Sequence, residues 1–252
     1  MNDLKSELAP RGTLRVGLNM SNFLLVSGST ADGVPTGIVP DLATAIADRI
    51  GVSIAWMPYD DAGLVADGAK GDVAEDAWDI AFMGAEPARA SHIDFTAAYV
   101  EIEAACLVRS DSPIRALDQL DRPGVRIATA TRAAYTLYLA RTLRHAELVT
   151  ADALEGSFRL FEERRLDALA GLKPRLLQDQ ARLPGSRLLE RLAIIQQSIA
   201  VPAGRPAAFD FLRAYAEQIK VDGTVARLIA RHGIGGLSVA RPMPPLAAQP
   251  AG

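Results

Sequence analysis

The chain is poor in the residues that most often carry metal or covalent chemistry: one cysteine and three histidines in 252 residues. Cys106 alone cannot form an intramolecular disulfide. With His92, His145 and His232 far apart along the chain, no Cys/His set has zinc-ligand spacing. Set in the apolar run AACLV, Cys106 reads as a small buried hydrophobe, and the histidines as surface or packing residues. Runs of like charge are also missing. The net charge of −3 is scattered in both signs, without the basic stripe that nucleic acid requires. No window reaches eighteen apolar residues, so no membrane-spanning helix is expected. The N-terminal MNDLKSELAPRGTLRVGL lacks a basic segment followed by an apolar one, and so carries no secretory signal. A chain retained where it is made and a chain freed of its leader read alike on this point.

What is present is 49% apolar residues, enough for one large domain or two lobes with separate cores. Strand-like and helix-like segments alternate. TLRVGLN (13–19) alternates in polarity, and 28–37 is dense in turn residues. In the segment that follows, Ile38, Leu42, Ala45, Ile46 and Ile50 stand at helical spacing with Gly51 as C-terminal cap. Strands are predicted at 52–59, 78–84, 104–110, 125–130, 146–152, 166–172 and 191–202. Helices are predicted at 131–145 with Thr131 as N-cap, at 154–165 and 175–185, and as a pair over 206–233 broken at Asp222-Gly223. A short helix is expected between 62 and 77, and the Pro- and Gly-rich tail after 233 is expected to fray or lie on the surface. Strands alternating with helices predict an α/β fold with largely parallel sheets. Extended apolar segments near 104–110 and 196–202 interrupt the alternation, as two lobes joined by two crossovers would.

Arg89 raises the functional question. It stands among small residues in FMGAEPARASHIDFTAAY, between a strand and a loop. An ion pair with Glu86 or Asp94 is one reading, and a carboxylate-binding site is the other.

The segments GIVPDLATAIADRIG, WDIAFMGAEPARASHIDFTAAY, LVRSDSPIRALDQL, RRLDALAGLKP and IKVDGTVARLIARHG, in this order, resemble the solute-binding proteins of polar amino-acid ABC transporters (family 3, type II periplasmic fold). The resemblance runs from about Gly12 to Gly233. It implies two α/β lobes joined by two hinge strands, 1–106 with 200–252 forming the first and 107–199 the second. Ligand would be held between them and closed on by hinge motion. It implies a monomer without cofactor or metal and without catalytic residues, with an ABC permease as candidate partner. Location is periplasmic by resemblance, and cytoplasmic if Met1 is the native start. Arg89 matches the family arginine that grips the ligand carboxylate. The planar guanidinium matches both oxygens and stays charged.

Departures from the family pattern shape the expected ligand. Where the family has an Asp for the α-ammonium, this chain has Leu172, followed by Lys173. A leucine leaves that cation unpaired in a closed cleft, which is costly. The expected ligand is therefore an amine-free or hydroxylated acid, or a modified amino acid. A one-residue loop shift bringing another acid inward is the alternative. Gly84 and Glu86 replace two threonines that help hold the carboxylate. Gly84 still offers a backbone N–H, and Glu86 either substitutes for the lost Asp or points outward. Asn19, Asn22 and Asp61 stand near the positions of the usual aromatic clamp, predicting a more polar pocket. Thr129, Thr131 and Arg132 form the second-lobe loop, whose helix N-terminus would attract an anion. Cyclohexadienyl dehydratases share this fold, so a lyase with Glu86 as general acid is the enzymatic alternative. A cytoplasmic ligand-binding or sensor relative is the other.

Overall fold

A computed structural model describes residues 2–70 and 77–243. The chain opens with helix α1 (Asn2–Leu8) and strand β1 (Thr13–Asn19), then a hairpin of β2 (Gly28–Ser29) and β3 (Pro35–Thr36). Next come α2 (Ile38–Ile50), β4 (Ser53–Tyr59), α3 (Ala62–Asp67), β5 (Ile80–Gly84), β6 (Ile93–Phe95) and β7 (Val100–Val108). The middle of the chain forms β8 (Arg126–Ala130), α4 (Ala134–Thr142), β9 (Glu147–Ala151), α5 (Ala153–Glu163) and β10 (Ala168–Leu172). It continues through α6 (Lys173–Arg182), β11 (Arg187–Leu188) and β12 (Ala193–Pro202) to α7 (Pro206–Val221), α8 (Thr224–His232) and β13 (Leu237–Val239).

Local chemistry accounts for most of these boundaries. The apolar face of α2 buries Ile38, Leu42 and Ile46, and the helix ends where Gly51 turns left-handed at φ 64. Gly51 donates its N–H to the carbonyls of Ala47 and Asp48 there. The same device at Gly223, φ 76, separates α7 from α8.

The main sheet runs in the order β4-β1-β5-β12-β7-β10-β8-β9. β4, β1 and β5 are parallel to one another, as are β10, β8 and β9. Between these groups lie two antiparallel strands. β12 pairs Gln197–Ala200 with β5, and Ala193–Gln197 with β7. β7 in turn pairs Ala104–Leu107 with β10. The molecule thus consists of two α/β lobes joined by two strands, as predicted. Phe158, Phe161, Leu169 and Leu176 fill the core of the second lobe, and Val65, Trp78 and Met83 pack against one face of the first. Cys106 is fully buried and unbridged, and burial pushes its thiol up to about 12.

Several local expectations are corrected. Thr131 is not an N-cap: α4 starts at Ala134 with Ala133 in the capping position. The Thr131 N–H instead donates to the Ala151 carbonyl, extending the β8–β9 ladder, and Arg132 then takes the left-handed conformation at φ 55. The helix expected from 175 starts at Lys173, directly after β10 ends at Leu172. The tail does not simply fray, because Leu237–Val239 adds a strand to β7. The short helix expected between 62 and 77 is α3, and the rest of that stretch, 71–76, lies outside the described residues, as does 244–252. Helix α1 has no counterpart among the predicted elements.

A buried ion cluster fixes α1 and α7 to the first lobe. Asp79, with no exposed surface, accepts Arg15 Nε at 3.0 Å, Arg15 Nη2 at 2.8 Å and Arg205 Nη1 at 3.1 Å. Arg205 also donates to the Glu7 carbonyl, and Glu7 Oε2 accepts the Ala208 N–H in the first turn of α7. Removing the anion strands buried guanidinium charge. Asp79→Ala is expected to lower the unfolding free energy by about 3–5 kcal/mol, read as a fall in the urea midpoint at unchanged slope.

Candidate functional site

A cavity of ≈ 60 Å³ lies between the lobes. It sits beyond the carboxyl ends of β1, β5, β8 and β10, where open α/β sheets collect ligands. The first lobe contributes Asn19, Ser21, Asn22, Asp61, Met83, Gly84 and Arg89. The facing wall is largely apolar, with Ala130, Ala133, Ala134, Leu154 and Leu172, and Thr131 and Tyr135 beside them. Ile195 and Gln197 of β12 line the side where the lobes join.

Arg89 reaches this cavity because β5 ends at Gly84 and the chain turns through Pro87–Arg89 in a single tight turn. Only 4% of Arg89 is exposed. Its Nη1 donates to the Gly84 carbonyl at 2.8 Å and its Nη2 to the Arg132 carbonyl at 2.9 Å. Among the described residues no carboxylate is bonded to it. Burial lowers the guanidinium to about 10, against the raising effect of nearby Glu86, so the charge persists at neutral pH. Two of its N–H groups are spent on carbonyls and three remain. Gly84 makes the close approach possible: a Cβ there would stand 2.8 Å from the Ala134 Cβ.

Asp61 is the other charged residue of the lining. Its Oδ1 caps α3, accepting the N–H groups of Gly63 and Leu64 at 2.6 and 2.8 Å. Asn19 Oδ1 is likewise occupied, by the Ser21 N–H and hydroxyl. Asn22 Oδ1 and Gln197 Oε1 are buried without a partner among the described residues. Unsatisfied buried acceptors are costly, and a bound molecule is one way to satisfy them.

Of the residues singled out from the sequence, Asn19, Asn22, Asp61, Gly84, Arg89 and Thr131 converge on this cavity, while four lie elsewhere. Glu86 is turned away from the cavity but stays buried, making an ion pair across the lobes with Arg141 of α4. Thr129 is fully buried, its hydroxyl 2.6 Å from that of Thr136. Arg132 reaches across to Asp67, with Nη1–Oδ2 at 2.6 Å and Nη2–Oδ1 at 2.9 Å. Lys173 pairs with Glu103 at 2.6 Å and lines a separate groove of ≈ 670 Å³ together with Phe23. The anion-attracting helix end expected at Thr131 is displaced by the late start of α4. Leu172, at the end of β10, does face the cavity.

Sequence reasoning missed Gln197, Met83 and Ile195. Gln197 carried a usable signal, because the pair Gln196-Gln197 interrupts the apolar strand AIIQQSIAVP. Met83 and Ile195 carried none beyond their place in apolar strands. The described lining holds one aromatic ring, Tyr135. Among the described residues no group of three or more His, Cys, Asp or Glu is placed to hold a metal ion. No described helix is long and apolar enough to cross a membrane.

Comparison with known proteins identifies relatives of this architecture. The family of bacterial extracellular solute-binding proteins, family 3, matches over residues 14–235. No curated protein matches the chain significantly. Among solved structures, an ancestral amino acid-binding protein described as a precursor of cyclohexadienyl dehydratase superposes with a TM-score of 0.70 at 24% identity, covering 90% of this chain and 97% of that one. A putative binding component of an ABC transporter from Wolinella succinogenes, complexed with lysine, gives 0.70 at 22% identity over 88% and 95%. A histidine kinase sensor domain similar to periplasmic binding proteins gives 0.72 at 19% identity over 90% and 98%. The chain, matched over nearly its whole length and sharing this two-lobed fold, belongs to the bacterial extracellular solute-binding proteins, family 3.

Proposed function

We propose that this protein binds a small carboxylate-bearing solute between its lobes, with Arg89 as the anchor of the carboxylate, and that the solute lacks an ordinary α-ammonium. The observation that carries this reading is the buried Arg89 guanidinium, bonded to two backbone carbonyls and to no described carboxylate. A desolvated cation of this kind favours an anion that brings two acceptor oxygens. Leu172 supports the second half of the reading. It lines the cavity in the position where the family resemblance expects an ammonium partner.

Closure is taken as a hinge motion about β7 and β12, with the lobe boundaries after Cys106 and before Ala200. The bound solute is passed to an ABC permease or read by a sensor, and the protein acts as a monomer. The lyase alternative rests on Glu86 as general acid. With that carboxylate paired to Arg141 outside the cavity lining, nothing specific favours it. Asp61, not Glu86, is the acid within the lining.

A thermal-shift screen with matched pairs, each amino acid beside its keto and hydroxy analogues, tests the reading. Ligands that bind only the folded state raise the melting temperature. Stabilisation by the amine-free acids is expected. Stabilisation by amino acids alone would overturn the argument from Leu172 and direct attention to Asp61. Arg89→Ala is expected to weaken binding of the best acid by about 2–5 kcal/mol, with Arg89→Lys intermediate because it keeps charge without the fork. Leu172→Asp places a carboxylate in the apolar wall. By calorimetry it should depress affinity for amine-free acids and raise that for the corresponding amino acids.

A further inference from the structure

We propose that Arg132 is a positioning residue that latches the two lobes together and presents Arg89 to the ligand, without itself touching the ligand. The inference builds on the proposed role of Arg89. Arg132 belongs to the second-lobe connection between β8 and α4, yet it bonds Arg89 and Asp67 of the first lobe. Its carbonyl accepts Arg89 Nη2 at 2.9 Å. Its side chain passes over the first turn of α3 and closes a two-pronged ion pair on Asp67 at the end of that helix.

Two features show a built contact. At Gly63 an added Cβ would stand 2.6 Å from Arg132 Nε, so the guanidinium stem lies directly on a residue without a side chain. The Arg132 backbone adopts φ 55, a conformation a bulky L-residue adopts only when its surroundings impose it. That conformation lets the carbonyl face Arg89 while the side chain reaches Asp67. The pairing with Asp67 raises the Arg132 guanidinium above its ordinary value. Arg141–Glu86 bridges the lobes a second time.

Neither Arg132 nor Asp67 lines the cavity, so the latch changes the balance of open and closed forms while leaving ligand contacts intact. Both side chains are about two-fifths exposed, 43% and 39%. A pair so hydrated is weak and sensitive to salt. The expected effect is therefore a shift in population rather than a loss of fold, and by linkage a modest loss of affinity.

The lobe separation of the ligand-free protein is the direct test. Spin labels on Val34→Cys in the first lobe and Glu147→Cys in the second report it, since both sites are exposed and native Cys106 is fully buried. Asp67→Ala and Arg132→Ala are expected to move the distance distribution toward the open form, as is 1 M sodium chloride on the parent protein. Gly63→Ala should do the same by lifting the Arg132 side chain, although alanine favours the helix and should not lower thermal stability. The exchange Asp67→Arg with Arg132→Asp should restore the parent distribution. In affinity for the best acid of the screen, each single change should cost no more than about fivefold, as loss of an exposed pair implies. An unchanged ligand-free distribution in both Asp67→Ala and Gly63→Ala overturns the latch. That outcome is independent of the screen, which tests the anchor role of Arg89 alone.

Discussion

Strand β12 belongs to both lobes at once, and the binding cleft follows from that constraint. Gln197 is the residue at which it changes partners: it is opposite Val100 in the ladder with β7 and opposite Gly84 in the ladder with β5. Backbone hydrogen bonds on both sides hold this point in register. The Gln197 side chain and the Gly84 backbone therefore face the cavity from fixed positions. The far side of the cleft is carried by β10, β8 and the helices α4 and α5, and this half of the sheet joins the rest through the pairing of β10 with β7. A hinge built from two continuous strands bends, but it cannot slip without turning every side chain to the opposite face.

Against this frame the cleft divides its polar chemistry unevenly. The first lobe supplies the charges, Arg89 and Asp61, and most of the amides. The second supplies alanine methyls and two leucines, Leu154 and Leu172, with Thr131 and Tyr135 as its polar members. Such an arrangement suits a molecule charged at one end with an apolar body, and the acceptors Asn22 Oδ1 and Gln197 Oε1 have no partner among the described residues. The lobes also meet directly, through Arg132 on Asp67 and Arg141 on Glu86. These contacts between the lobes are separate from any that a ligand would make, and on the proposed latch the balance between the two would set the apparent affinity.

Much of the fold was legible in the sequence because its signals are local. Ile38, Leu42 and Ile46 at helical spacing with Gly51 behind them fix α2, and Asp222-Gly223 marks the break between α7 and α8. The Arg89 segment was legible through its neighbours in the chain. What escaped depends on residues distant in sequence. Helix α1 is too short to form alone and is held by Arg205 through the Glu7 carbonyl. The partners of Glu86 and Lys173 are 55 and 70 residues away, respectively, so no local pattern announces them. The left-handed turn at Arg132 carries no glycine or asparagine to advertise it, and reading the helix back to Thr131 was the natural error.

The order in which strands arrive has a further meaning for biogenesis. The second lobe is built from one continuous stretch of chain, whereas the first awaits β12 and α7, which are synthesised after it. Until Arg205 emerges, Asp79 has Arg15 beside it but lacks this second cation, and the α7 turn that Glu7 caps does not yet exist. On a ribosome adding residues from the N-terminus, the half of the molecule that begins first is finished last. Its apolar β5 edge, the face that β12 will cover, is the surface most open to mispairing in the interval.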